Sequence, residues 1–421
     1  MKRYKKIEQR LARTLASFPR TKETIKLVYQ YFTYLQNRAS DMCLCDYELK
    51  DFTPPGMETF IGYYDKVPIS KDYYILCHLS KYSTRQKPNT AESISVMLFV
   101  QNEIRPILEV PTHVYNWQQG ARAHWIDDDI FIFNDFDQDG WSYISRVFSK
   151  EKLKEVNRFD LPVQDSFGTH YFLSINYRRL MALRPDYGYR NLPPLNKAEQ
   201  TDTENDGIWR VDFATGNSML LYSLSQIAKV DFKPEFARAI HKVNHVMISP
   251  SGNEFIFLHR YYLGKRRLDR LMLADSEGKG LRVLADHGMV SHYFWADENT
   301  ILVYLRGPNN RDGYYLIDKK SRVFTTVANG ALDSYGDGHP HVRGDWFVTD
   351  TYPDKAQMQH LLLCNWKTGE FKELGEFFHG FDYRGETRCD LHPRLSLDGK
   401  SVFFDSVFDG KRRLYKMDLG A

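Results

Sequence analysis

"SPSGNEFIFLHRYYLGKRRLDRLML", residues 249–273, returns with one gap as "SLDGKSVFFDSVFDGKRRLYKMDL" at residues 396–419. Each copy reads as a turn, a strand, a polar loop containing GKRRL, and a second strand. The Ser-x-x-Gly opening is turn chemistry, and the Phe, Ile, Val and Leu that follow are strand formers. The copies lie about three times 49 residues apart, so the repeat implies intervening units of the same kind.

Those units are present. Strand-turn-strand tails recur as "SISVMLFVQNEIRPILEV", "SYISRVFSKEKLKEVNRFDL", "GIWRVDFATGNSMLLYSL", "DRLMLADSEGKGLRVLAD", "YYLIDKKSRVFTTVA" and "HLLLCNWKTGEFKELGE", with the terminal "RRLYKMDL" as a seventh. Units of roughly 43 to 65 residues offering about four strands each are propeller blades. The sequence therefore predicts an all-β fold, a seven-bladed β-propeller over residues 51–421, with a short N-terminal α-helical extension over residues 1–50. The last copy stops at its third strand, so a strand from nearer the N-terminus, around residues 60 to 80, is expected to complete that blade. In the extension, "TKETIKLVYQYFTYLQNR" places Ile25, Val28, Tyr29, Phe32 and Leu35 on one stripe. Packing against the propeller is the expected use of that face; a basic amphipathic helix also suits peripheral membrane contact.

Composition excludes several classes. The formal net charge of +3 gives no basic footprint for nucleic acid. Five cysteines without a repeating spacing argue against a disulfide framework. No stretch approaches a transmembrane length, and "MKRYKKIEQRLARTLASFPR" lacks an apolar signal-peptide core, so a cytoplasmic location is expected. Aromatics at 14%, with 27 Tyr and 27 Phe, fit a β core and also the stacking of rings on sugar faces.

The unusual residues cluster beside the turns where a propeller lines its channel. "HKVNHVMISPSGNEFIFLHR" carries His241, His245, His259 and Arg260; "GMVSHYFW" carries His292; "GDGHPH" carries Asp337, His339 and His341; "RCDLHPR" carries Cys389, Asp390, His392 and Arg394. Upstream, "NWQQGARAHW" offers Gln118, Gln119, Arg122 and His124, and "FNDFD" offers Asn134 and Asp135. His, Cys and Asp brought to one axis by different blades would bind a divalent metal ion such as Zn, Mn or Ca.

Together these motifs resemble the β-propeller polysaccharide lyases, the oligogalacturonate and ulvan lyases. The order of "HKVNHVMISPSGNEFIFLHR", "DRLMLADSEGKGLRVL" and "GMVSHYFW" is similar to that of the oligogalacturonate lyases. "NWQQG", "DGHP", "TDTYPD" and "CDLHPRLSLDGK" resemble a broader group of related propellers. The resemblance implies that His292 and the His339/His341 pair are metal ligands. It departs at Gly336, where those enzymes carry a glutamine. A centre of His292, His339, Cys389 and His392 with Asp337, closer to the structural zinc of ulvan lyases, is the alternative. The resemblance also places His241 or His245 as proton-abstracting base and Arg260 as the carboxylate-binding arginine.

A lyase of this kind removes the C5 proton of a uronic acid and expels the 4-linked oxygen. The neighbouring carboxylate makes that proton a weak acid, so the site must neutralise the carboxylate, supply a base near neutral pKa and protonate the leaving oxygen. The expected assignment is His245 or His241 as base, with Arg260, Gln118 and Gln119 on the carboxylate and Tyr187 or Tyr189 of "RPDYGYR" as acid. Arg122, His124, Asn134 and His259 are further substrate contacts. The expected partner is an anionic polysaccharide or oligosaccharide, such as a bacterial capsule or exopolysaccharide. The rival reading is a non-catalytic carbohydrate-binding or scaffold propeller. A serine peptidase of the prolyl-oligopeptidase type is set aside, since no GxSxG elbow occurs and no stretch is expected to build its hydrolase domain.

Overall fold

The computed structural model describes residues 19–101, 103 and 105–420. The helical reading of residues 1–18 lies outside the described residues. Seven antiparallel sheets follow one another along the chain, with strands in sequence order from the axis outwards, except that the last two each take an outermost strand from nearer the N-terminus. Blade 1 is built from Glu58–Phe60, Tyr74–Ser80, Ile94–Val100 and Leu108–Thr112. The innermost strands of blades 2 to 7 are His124–Trp125, Asp165–Phe167, Ile240–Ile248, Val290–Trp295, His341–Arg343 and Arg394–Leu395. The chain is the seven-bladed β-propeller that the repeats imply.

The two quoted repeats fold alike to the level of single hydrogen bonds. Ser249 N–H donates to Glu254 O and Ser396 N–H to Ser401 O, both at 2.8 Å; Gly252 N–H reaches Ser249 O and Gly399 N–H reaches Ser396 O, both at 3.0 Å. Both glycines have positive φ, +75° and +73°, a conformation that costs a residue with a Cβ about 1–2 kcal/mol. The Ser-x-x-Gly spacing is thus the turn that joins the first two strands of blades 4 and 7.

Ring closure differs from the sequence expectation. The strand that completes blade 7 is Leu49–Asp51, paired with Met417, Lys416 and Tyr415, and not a strand from residues 60 to 80. Glu58–Phe60 and Tyr74–Ser80 are needed as the first two strands of blade 1, which leaves none to spare. Cys43–Leu44 adds a fifth, outermost strand to blade 6, so sheet pairing begins within the segment read as the helical extension.

The helix Pro19–Asn37 meets the propeller through a face other than the one expected. Tyr31 packs on Phe381 with ring centroids 5.8 Å apart, and Tyr34 packs on Phe378 and Phe381 at 5.6 and 5.4 Å. Val28, Tyr29, Phe32 and Leu35 are left exposed. Periodicity identifies an apolar stripe, but where the aromatic partners sit decides which face docks. Among the described residues no helix is long and apolar enough to cross a membrane.

Closure also brings the segment after Phe60 across the axis. The buried Asp405 carboxylate of blade 7 accepts the N–H groups of Ile61 and Gly62 at 3.0 and 3.1 Å, and Arg394 donates to the carbonyls of Gly62 and Tyr63. Asp405→Ala would leave two buried amides without their acceptor and the buried Arg394 guanidinium without its counter-ion, 3.8 Å away. It is expected to destabilise the fold by about 3–5 kcal/mol in urea unfolding; a loss below 1 kcal/mol would contradict this role.

Candidate active site

Gly62, Tyr63, Tyr64 and Asp65 form the floor of the site. Gly62 has φ +101°, and a Cβ there would lie 2.7 Å from the Gln119 carbonyl carbon, so only glycine lets the chain pass so close to that turn. Asp65 is gripped by Arg122 through both guanidinium nitrogens at 3.0 and 2.8 Å. Burial alone would raise the Asp65 pKa. The Arg122 and Lys66 charges outweigh it and hold the carboxyl well below the usual carboxylate range.

His245 stands above this floor. It sits at a bulge in Ile240–Ile248 with φ +49°, a left-handed conformation that turns its ring out of the strand's alternation. Its Nδ1 lies 3.3 Å from the Tyr64 hydroxyl, its ring packs on Tyr63 and Tyr293 at 4.8 Å each, and its Nε2 is buried without a hydrogen-bond partner, 3.9 Å from Asp65. Burial pushes His245 down to about 3, with the nearby Asp65 opposing, so the ring is neutral at physiological pH. Burial holds Tyr63 and Tyr64 well above the ordinary phenol value, so both keep their protons.

Beside His245 the blades deliver three more imidazoles. His339 Nδ1 is bound by Asp350 at 2.8 Å and His292 Nδ1 by Asp337 at 3.1 Å. A carboxylate on Nδ1 fixes the tautomer and leaves Nε2 as a lone-pair donor, the arrangement found behind metal-ligating histidines. The ring centroids of His292 and His339 are 4.1 Å apart and those of His339 and His392 4.3 Å. The Nε2 atoms of His339 and His392 are buried and unpartnered. One ligand atom each from His339, Asp390 and His392 lie within 4.8 Å of one another. This set of two imidazoles and a carboxylate fits a divalent ion. Burial disfavours a charged His339, but Asp350 outweighs it and raises the pKa; burial and then the His339 charge hold His392 well below the usual value.

The mouth of the channel is spanned by residues 176–206, an insertion between the second and third strands of blade 3. Asn176 caps the helix Tyr177–Leu183 that opens it. Arg190 pairs with Glu386, Asn191 donates to His113 O at 3.1 Å and Leu192 N–H to the Tyr143 hydroxyl at 3.0 Å, so the segment is tied to blades 1 and 2 and to the loop before blade 7. Tyr187 reaches the site edge-on to Tyr63 at 5.7 Å, with the Arg184 guanidinium over its ring at 5.2 Å. Arg388 lies over Tyr352 at 5.3 Å and grips Asp390 at 2.8 Å. At the opposite end of the channel a cavity of about 330 Å³ is lined by Asp65, Lys66, Asp165, Phe167 and Trp295.

The sequence-chosen residues divide clearly. His245, His292, Asp337, His339, His392 and Tyr187 come together at the axis. Gln118 joins them from the side, with Nε2 on Arg388 O at 2.7 Å; Gln119 Oε1 is buried and unpartnered. Arg122 contributes by holding Asp65. His241 and His259 stack on each other at 5.1 Å in a separate cluster, bonded Nδ1 to Nε2 at 2.8 Å and tied down by Phe236 O and Arg270. Strand geometry separates them from His245, because the bulge after Asn244 breaks the alternation that would have aligned His241 with it.

Arg260 is engaged by Asp269. His124 is satisfied by Arg122 O at 2.6 Å and Ser166 Oγ at 2.8 Å. Asn134 bridges Val163 and the Tyr189 hydroxyl, while Tyr189 stacks flat on Tyr177 at 4.2 Å; both are interior supports. His341 faces Phe294 at 4.7 Å and accepts the Leu395 N–H, apart from the triad. Cys389 packs with Tyr383 and Val407, and burial pushes its thiol up to about 12, so it is a neutral core side chain. Sequence reasoning did not select Tyr63, Tyr64, Asp65, Asp350, Arg388 or Tyr352. Of these, Asp350 and Tyr352 lay in "TDTYPD" and Arg388 opened "RCDLHPR", motifs already noted, while Tyr63, Tyr64 and Asp65 lay in none.

No family model and no curated protein sequence matches the chain. Among solved structures, an oligogalacturonate lyase in complex with manganese superposes with a TM-score of 0.60 at 16% identity, covering 89% of this chain and 94% of that one. The oligogalacturonate lyase of Vibrio parahaemolyticus gives 0.58 at 15%, covering 90% and 96%. A prolyl endopeptidase study matches over 48% of its chain at 0.49 and 10% identity. The chain thus has, along nearly its whole length, the seven-bladed propeller fold of the oligogalacturonate lyases.

A second group pairs the buried His360 with the exposed Glu373 and half-buried Glu376 in blade 6 as an ion pair. Burial opposes its charge, but Asp354 and Glu373 dominate and raise His360 from 6.5 to about 9. The pair therefore stabilises the fold fully below about pH 6.5, and that stability is lost as pH rises through about 9. His360→Gln should remove about 2 kcal/mol at pH 6 and much less at pH 9.5, in denaturant titrations at the two pH values. An equal loss at both would contradict this.

Proposed function

We propose that the channel site is the active centre of a polysaccharide lyase that cleaves a uronic-acid-containing oligosaccharide or polysaccharide by β-elimination. The observation that carries the reading is His245: a neutral, buried imidazole with an unpartnered Nε2, set among protonated tyrosines and beside a carboxylate-oriented histidine cluster. Support comes from the fold shared with oligogalacturonate lyases and from the cations Arg184 and Arg388 at the mouth, which suit an anionic substrate.

His245 Nε2 would accept the C5 proton although burial holds the ring near 3, below the near-neutral value the reaction favours; Asp65, 3.9 Å away, opposes that shift and would stabilise the imidazolium that forms. Tyr63, which packs on His245, or Tyr187, which packs on Tyr63, both buried, would donate a proton to the departing O4. Arg388 and Gln118 would orient the uronate carboxylate. His339, His392 and Asp390 would hold a divalent ion, with His292 alongside; when bound, such an ion neutralises the carboxylate and eases loss of the neighbouring proton. The second reading, a carbohydrate-binding propeller without chemistry, is favoured by one observation: His245, His339, His392 and Tyr63 are all at most 3% exposed beneath the blade 3 insertion.

Incubation with a panel of uronic-acid polysaccharides should produce absorbance near 235 nm from the unsaturated product. His245→Ala should lower the rate about 10²–10⁴-fold while the protein stays folded. Silence across the panel with metal-replete, folded protein would favour the binding reading. Independently of activity, His339→Ala and His392→Ala should each lose the tightly bound divalent ion by elemental analysis; retention in both would remove the metal from the account.

A further inference from the structure

The helix Pro19–Asn37 sits on blade 6 by the side that carries the buried Thr33 and Tyr34, whose ring packs on Phe378 and Phe381. At about 3.6 residues per turn, Val28, Phe32 and Leu35 fall within roughly 60° of one another on the other side of the helix. All three are exposed, Phe32 at 62%, and so is Met42 in the segment that follows. Single apolar residues on a surface need no explanation, but a stripe at helical spacing does. The charge beside this stripe is one-sided. Residues 1–26 hold nine Lys and Arg against two Glu, a formal +7, while the whole chain carries only +3, so the rest of it is net acidic. An apolar helix face that continues from a basic segment fits a bilayer with anionic headgroups. The cations are drawn to the surface, and the stripe enters the boundary between headgroups and acyl chains. A second copy laid on the same stripe would bring two such basic segments together, and their like charge opposes it.

The place of the helix gives the stripe a consequence for the channel. Phe381 belongs to the loop that carries Glu386, which pairs with Arg190 of the segment spanning the mouth. The same loop delivers Arg388 to the mouth. The helix is therefore held at the mouth end of the ring. We propose that Val28, Phe32 and Leu35, together with the basic residues 1–26, form an interfacial anchor that seats the protein on an anionic membrane surface by the rim that carries the channel mouth. The anchor is independent of the chemistry at the axis.

The test is co-sedimentation of the full-length protein with vesicles of phosphatidylcholine alone and of an equal mixture with phosphatidylglycerol, at low and high salt. Wild type should bind the anionic vesicles at least about 10-fold more tightly than the neutral ones and lose that margin in high salt. The double variant F32Q/L35Q, which leaves the charge unchanged, should weaken binding to the anionic vesicles about 10–100-fold, the effect of withholding two apolar side chains. Both positions are exposed, so the variant should melt with wild type, which shows that it folds. Wild type that sediments equally with both vesicles or with neither would overturn the proposal, as would unaltered binding by F32Q/L35Q. So would a wild-type dimer in sedimentation equilibrium that F32Q/L35Q converts to monomer, because that assigns the stripe to a second copy.

Discussion

The Asp405 carboxylate, buried in the last blade and bonded to the amides of Ile61 and Gly62, fixes everything at the axis. A propeller must join its first and last blades. Here the strand Leu49–Asp51 makes that joint on the outside of blade 7, while Asp405 and Arg394 make it on the inside. The chain between the two joints has one route, across the channel. That route places Tyr63, Tyr64 and Asp65 beneath the histidines contributed by blades 4 to 7. Closure of the ring and construction of the site are therefore one constraint, met by the same few hydrogen bonds.

The electrostatics follow from burial. Nearly every charge at the axis lies out of water and must be paired, which Asp65 with Arg122 and Asp390 with Arg388 achieve. Two further carboxylates, Asp350 and Asp337, are spent on holding the Nδ1 atoms of His339 and His292. The Nε2 atoms of His245, His339 and His392 are left without hydrogen-bond partners. On the proposed reading, such unmatched atoms would serve a bound cation and an anionic substrate.

Much of this fold was legible in the sequence. The repeated Ser-x-x-Gly turn and GKRRL loop mark two equivalent blades, and the recurring strand-turn-strand tails count the seven, since each follows from local backbone chemistry. The closing strand was not legible, because a three-residue strand has no period to detect, and residues 60–80, which resemble a spare strand, belong to blade 1. In the site, histidines next to turns stood out, and His245, His292, His339 and His392 do meet. His241 and His259 could not be separated from them by sequence, because one bulge with a left-handed residue decides which histidine faces the axis. Cys389 lay in the right motif, yet its neighbour Asp390 is the side chain that faces His392. Tyr63, Tyr64 and Asp65 come from a segment with no repeat and reach the site only through ring closure, a long-range event that local patterns do not encode.

The central claim is that the axis removes the C5 proton of a uronate. Its most direct test is the rate of cleavage of a uronide deuterated at C5 against the unlabelled substrate under kcat/KM conditions. The account predicts that the deuterated substrate is cleaved more slowly, with a product carrying a C4–C5 double bond. Equal rates together with a saturated, hydrolysed product would contradict it.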